Sequence, residues 1–344
     1  MGAPIRVLFV AMRWDYGDRS RGPSFEHQNF FDVLDQMDGI EVRELDFLSA
    51  FQEGGTDQVA LELRAAVDDF RPDLAFFVLF EEQIGAEVLA ELRDRPGLIT
   101  YNWFCDDHWR FDDFTSRYAP LFNAVSTTDR KALPKYRALG IDAIKTQWAA
   151  NPHLYAPTGN PVRLGTTFVG QSYGDRPWLI RRLQRAGVDV STWGPGWPAG
   201  RLEFDDMVAT FSDSRISLNL TAASNDPSVP RVVRGVLNRT YPPALRWVGR
   251  NLDQIKGRTF EIPACGGFQL SSQVDDIESY FEVGEEIAVF TSPGDLVEQA
   301  RRYLGDDAAR SRIAAAGLRR VQAEHTYEHR FRAILDHLGL SPAP

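Results

Sequence analysis

The sequence is short of cysteine, with two in 344 residues, Cys105 and Cys265. They lie far apart and fit neither a disulfide framework nor a metal site, so both read as packed thiols. There is no run of about 18 apolar residues, which excludes a helical membrane span. The first residues lead straight into an apolar strand with no basic-then-apolar leader, so a cytoplasmic protein is expected. Basic residues are outnumbered, 38 Lys and Arg against 48 Asp and Glu, and the net charge is −10. That counts against a protein whose main task is holding nucleic acid, because phosphate neutralisation needs a clustered basic surface. No repeat or low-complexity tract is present. No metal cluster stands out, and neither a metal nor a cofactor is expected. Aromatics are plentiful, with 22 Phe and 8 Trp. They suit large cores and a cleft that stacks sugars or bases.

A chain of this length exceeds one ordinary core, and two domains are expected. In the first half, short apolar runs alternate with helix-period segments. Strands are expected over Ile5–Ala11, Val42–Phe47, Leu74–Phe80, Leu98–Trp103, Phe122–Ser126 and Ala143–Trp148. Helices are expected from Phe25 to about Met37 with Ser24 as cap, and over Thr56–Phe70, Ile84–Arg93 and Lys131–Leu139. The alternation indicates an open parallel α/β sheet, whose chemistry sits beyond the carboxyl ends of its strands. Two post-strand loops carry candidate catalytic groups. One holds Asp106, Asp107 and His108, where an acid can steady an imidazole acting as general base. The other brings Glu26 and His27 at the first turn of a helix. A solvated acidic loop and a surface first turn are the plainer readings of the two.

Gln147–Asn160 contains two prolines, Asn, Gly and Thr, which break all periodicity. The domain seam is placed there, near residue 155. The second half starts a new sheet at Gly165–Gly170. Gly170 ends that strand ahead of a helix at Pro177, with Arg176 just before it, an arrangement that admits an anion. Strands follow over Val188–Trp193 and Arg215–Leu220, and helices over Pro177–Ala186 and Phe204–Ser212. Gly194 and Trp197 read as a plain turn after a strand, or as a flat surface for a planar ring, and Asn219 closes a strand. Residues 225–254 are Arg-rich within an acidic chain, and read as a solvated cationic face or a flap over an anionic ligand. Lys256–Leu270 (KGRTFEIPACGGFQL) combines two cations, one acid and a glycine turn, a pattern suited to a polyphosphate and a ribose. Beyond it, helices are expected over Val274–Phe281, Gly294–Leu304, Asp307–Glu324 and Tyr327–Leu338, with a strand at Ile287–Phe290.

KGRTFEIPACGGFQL, VGEEIAVFTSPGDLVEQARRYL and RIAAAGLRRVQAEHTYEHR together resemble the C-terminal half of the CgeB-like, spore-maturation type of GT-B glycosyltransferases, over about residues 165–335. The resemblance implies GT-B architecture: two Rossmann-like α/β domains whose parallel sheets face a central cleft. It also implies a final helix that crosses back to the first domain. The expected division is residues 1–155 for the acceptor, 156–325 for the nucleotide-sugar donor, and 326–344 for the returning helix. In the related pattern a Glu holds the donor ribose, which Glu261 matches. Lys256, Arg258 and Arg176 match the diphosphate-binding cations. Gly170, Gly194, Trp197, Asn219 and Thr259 complete the expected donor-binding set. Gln254 departs from the pattern, standing where many relatives carry an acid seven residues before the ribose Glu.

Loss of a nucleoside diphosphate develops negative charge that cations can stabilise without a metal. The expected activity is therefore metal-independent transfer from a nucleotide sugar to a small-molecule, glycan or protein acceptor. Kinship with the ribose-Glu pattern implies a retaining course. An inverting course would need a base, for which Asp106, Asp107, His108, Glu26 and His27 are the candidates. Two other readings stand beside this one: a non-catalytic nucleotide-sugar-binding scaffold of the same fold, and a glycosyltransferase acting on nucleic acid.

Overall fold

The computed structural model describes residues 3–221 and 254–340. Residues 225–253 of the Arg-rich segment lie outside the described residues. The chain forms two compact units, Met1–Gln147 with Tyr327–Pro344, and Trp148–Thr326.

The first unit is a six-stranded parallel sheet in the order β2-β1-β3-β4-β5-β6. Its strands are β1 (Ile5–Ala11), β2 (Ile40–Asp46), β3 (Leu74–Phe77), β4 (Ile99–Phe104), β5 (Ala124–Thr127) and β6 (Ile144–Lys145). Val7, Leu8, Phe9 and Val10 are fully buried, as are Phe76 and Phe77 nearby. Strands covered on both faces must be apolar throughout, which is how these runs read in the sequence. Helix α1 covers residues 25–36 and opens with a π turn at His27–Phe31. Ser24 caps it, its hydroxyl accepting from the His27 amide at 3.0 Å. Helix α3 covers Ala86–Arg93, α4 covers 107–118, and α5 covers Leu133–Ala138. Helix α4 also contains a π turn, at Phe111–Thr115.

Two expectations change here. Helix α2 begins at Phe47 rather than Thr56 and runs to Phe70. Asp46 caps it by accepting from Ser49, and Gly54–Gly55 break it into two arms, with Gly55 at φ +69°. A glycine pair reads as a loop, but a left-handed glycine also lets a helix kink and resume. The sixth strand ladders over two residues only, where the sequence predicts Ala143–Trp148.

The second unit is a five-stranded parallel sheet, β11-β10-β9-β7-β8. It comprises β7 (Leu164–Val169), β8 (Val190–Trp193), β9 (Ser214–Asn219), β10 (Gln269–Ser272) and β11 (Ala288–Phe290). Its helices are α6 (Arg176–Arg185), α7 (Phe204–Asp213), α8 (Arg258–Ala264), α9 (Pro293–Leu304) and α10 (Asp307–Glu324). Val274–Phe281, expected to be helical, holds only a 3₁₀ turn at Ile277–Ser279. Asp276 sits at φ +72°, a conformation no helix interior allows. Val274, Ile277 and Phe281 are nonetheless buried, so their helical spacing records burial rather than a helix.

Helix α11 (Tyr327–His337) belongs to the first unit. Its Tyr327 and Phe331 rings lie 5.0 and 5.4 Å from Phe30. Phe331 also meets Phe76 at 5.7 Å. The Arg330 Nε donates to the Gln147 carbonyl at 3.1 Å. Among the described residues, no helix is long and apolar enough to cross a membrane.

Candidate active site

In the first unit the candidate groups gather at the carboxyl ends of β1 and β4. Glu26 stands on the first turn of α1. Its Oε2 is sealed from solvent and has no hydrogen-bond partner. Burial pushes its carboxyl up to about 7, Asp15 and Asp106 push it the same way, and its own amide and Ser24 oppose them. A buried carboxyl among like charges behaves this way because low polarity disfavours the charged form. The fold thus brings Glu26, Asp15 and Asp106 together from three places in the sequence. Tyr16 joins them at φ 52°, its ring 6.3 Å from Phe80 and set edge-on.

Asp106, Asp107 and His108, adjacent in sequence, do not form one group. Helix α4 starts at Asp107, and each helical residue turns about 100° from its neighbour. Asp107 points inward. It accepts from the Thr115 hydroxyl at 2.7 Å and the Tyr136 hydroxyl at 2.8 Å, and is 3% exposed. Burial raises its carboxyl above the usual range, against hydrogen bonds from Thr127, Thr115 and Tyr136. It ties β5, α4 and α5 together. His108 follows it, half-buried.

His27 faces β2. Its Nδ1 lies 2.6 Å from Glu44 Oε1, and its ring stacks on Phe31 at 5.1 Å. Arg13 approaches Glu44 from the other side at 3.2 Å. Glu44 and Arg13 are functional candidates that the sequence reading missed. The signal was there: Glu44 shares a strand face with Ile40 and Val42, and an acid on an apolar face needs a partner.

In the second unit the expected donor residues lie at the carboxyl ends of β7, β8 and β9 and around α8. The first three are packed against one another. Gly194 has φ +126°, and a Cβ there would stand 2.4 Å from the Gly170 carbonyl oxygen. The same carbonyl accepts from the Trp197 indole N–H at 2.8 Å. Arg176 donates from Nε to Leu220 O at 2.9 Å and from Nη1 to Gln171 O at 3.1 Å. Its guanidinium lies 4.3 Å from the Tyr173 ring centre. Arg176 therefore fastens the loop after β7 to the end of β9.

Asn219 is buried, and its Nδ2 donates to Thr259 at 3.1 Å and Ser271 at 3.2 Å. These bonds pin the start of α8 to β9 and β10. Lys256 is half-buried, just ahead of α8. Arg258 is ion-paired with Glu261, which is 1% exposed, and lies 5.1 Å from the Phe211 ring centre. Gly266, at φ +69°, turns the chain after α8, and a Cβ on Gly267 would stand 2.3 Å from Phe211 O. Both glycines serve the turn. Cys265 is fully buried, and burial pushes its thiol up to about 12. No group of three or more His, Cys, Asp and Glu side chains is placed to hold a metal among the described residues.

Residues 176–336 match a protein family described as Glycosyl transferase-like. Over 97% of its length the chain is similar in fold to several solved structures. Sucrose-phosphate synthase from Thermosynechococcus elongatus gives a TM-score of 0.63 at 11% identity, over 97% of both chains. Anabaena HepE, solved with UDP and glucose, gives 0.56 at 13% identity, over 97% of this chain and 99% of that one. AviGT4, a glycosyltransferase involved in avilamycin A biosynthesis, gives 0.57 at 12% identity, with coverage of 97% and 99%. No curated protein matches by sequence. The family match covers residues 176–336 alone, and over nearly its whole length the chain shares its fold with these solved structures.

Proposed function

We propose that the protein transfers a glycosyl group from a nucleotide-diphosphate sugar, held by the second unit, to a hydroxyl acceptor held by the first. The observation that carries this reading is the clustering of Arg176, Asn219, Arg258, Thr259 and Glu261 at one sheet edge, inside the segment that matches the family. Ligands of parallel α/β units bind at that edge. Arg258, Lys256 and Arg176 supply the positive charge that meets the departing diphosphate, with no metal required. Glu261 commits Oε2 to Arg258 and offers Oε1 to the ribose. HepE, a fold neighbour, was solved with UDP and glucose, which favours a uridine nucleotide as the first donor to try.

The resemblance to the ribose-Glu pattern supports retention at the anomeric carbon. A second reading, inversion with Glu26 as base, is favoured by one observation: its sealed, unpartnered Oε2 and near-neutral carboxyl. Thermal shift against nucleoside diphosphates and their sugars, followed by donor turnover with EDTA present, tests the assignment. Silence with every donor despite tight nucleotide binding would leave a scaffold. Loss of all turnover on metal removal would refute the metal-free step. The anomeric proton coupling of the product, read by NMR, decides between retention and inversion.

A further inference from the structure

A second feature of the first unit lies at the carboxyl end of β2. A cavity of about 550 Å³ opens there between the loop after β1 and the two arms of α2. That volume falls within the range of about 300–1,000 Å³ typical of small-molecule clefts. The Trp14 indole forms one wall, with the Arg13 and Arg19 guanidiniums 5.6 and 5.7 Å from its ring centre. Glu53 on the first arm and Glu62 on the second also line the cavity, with Glu44 and Asp46 on the strand side, where Glu44 is engaged by Arg13 and His27 and Asp46 by Ser49. The wall is preformed. Trp14 bridges to Pro23, the Asp15 amide donates to Gly22 O at 3.1 Å, and the Ser24 amide donates to Arg13 O at 2.8 Å. The kink at Gly54–Gly55 splays the arms that carry the two acids.

The charges select the ligand. An anion would meet Glu53 and Glu62, and a cation would meet Arg13 and Arg19. An apolar molecule would bury guanidinium and carboxylate groups without partners, which is costly. A neutral polyol opposes none of them. Planar guanidinium and carboxylate groups pair with vicinal hydroxyls, and an indole offers a sugar ring a flat apolar wall. We propose that this pocket seats one neutral sugar unit of a saccharide acceptor. The proposal rests on the glycosyl-transfer reading and narrows its acceptor to a glycan of at least two units. The Glu44–His27 contact links the pocket to α1, one residue from Glu26, so a neighbouring unit of the same glycan would lie towards Glu26.

The test uses the full chain on an array of neutral, amino-substituted and phosphorylated or sulfated oligosaccharides, with UDP binding measured separately by thermal shift. Neutral glycans are expected to bind. Trp14→Ala and the exposed Glu53→Gln should each weaken that binding by about tenfold while UDP binding is unchanged. Binding confined to charged glycans, no glycan binding, or neutral binding indifferent to both variants overturns the proposal. If the nucleotide shift is absent, the glycosyl-transfer reading fails instead. A nucleotide shift without neutral-glycan binding sinks only the acceptor pocket.

Discussion

Replacing Glu26 with glutamine should stabilise the protein at neutral and alkaline pH and change little in acid. The carboxyl is pushed from an ordinary 4.5 to about 7 in the folded state. The folded chain therefore holds this proton more tightly than the unfolded chain does. Between about pH 4.5 and 7 the native state binds more protons, so its stability falls as pH rises. Above about pH 7 the full cost of ionising Glu26 in place is incurred. At 1.36 kcal/mol per pH unit, the difference amounts to about 3 kcal/mol. The substituted amide has no such cost and fits the same space. For a unit of this size the gain corresponds to a shift of roughly 6–12 °C in melting temperature. Urea denaturation at a series of pH values measures it, with fluorescence of the buried Trp103 reporting on the first unit. The two proteins should agree near pH 4, separate up to about pH 7 and hold a constant difference from there to pH 8. A constant offset from pH 4 upwards, or a variant that loses ground at pH 8, would refute the reasoning. If Glu26 also serves as base, the variant that gains stability should lose turnover, with donor affinity unchanged.

Three further outcomes are expected. Arg258→Ala should lower both nucleotide affinity and stability, because it leaves the Glu261 charge buried without its partner; Arg258→Ala with Glu261→Gln should recover stability but not affinity, and joint recovery would remove Arg258 from the donor site. Gly194→Ala should cost about 1–3 kcal/mol, since its Cβ meets the Gly170 carbonyl at a φ that side chains avoid, and an unchanged melting temperature would contradict that geometry. Phe331→Ala should cost the first unit about 3–5 kcal/mol by emptying the space between Phe30, Phe76 and Trp103, and hydrogen exchange should localise the loss to the first unit.

The sheets were legible because their signal is local. Runs such as Ile5–Ala11 and Leu74–Phe77 carry the apolar continuity that doubly covered strands require. The Ser24 cap was legible for the same reason, since cap and amide lie three residues apart. Val274–Phe281 failed because a left-handed Asp276 overrides a helical spacing that pattern alone cannot distinguish from a buried turn. The site was less legible. Asp106, Asp107 and His108 share a place in the sequence, yet the first turn of α4 sends Asp107 inward to Thr115 and Tyr136. The character of Glu26 depends on Asp15, on Asp106 and on burial, and the fold alone brings these together.

Two acids, Glu26 with its sealed Oε2 in the first unit and the buried Glu261 in the second, show why residue type alone does not assign a role. Glu261 carries a guanidinium on its carboxylate, so its charge is balanced within the protein. Glu26 has neighbours of its own sign and an oxygen with no partner, so its charge is opposed and its proton is held until about neutrality. The first arrangement is an ion pair closed within one helix. The second gives a group that takes up or releases a proton there at small cost. A transfer from a nucleotide sugar makes these two demands at different places: steady charge where the diphosphate leaves, and a mobile proton where the acceptor hydroxyl arrives. The unit that matches the family holds the paired acid, and the other unit holds the unpaired one. That division follows from the partners each fold supplies, a cation three residues away in α8, and for Glu26 the carboxylates of Asp15, in the loop that leads into α1, and of Asp106, after β4.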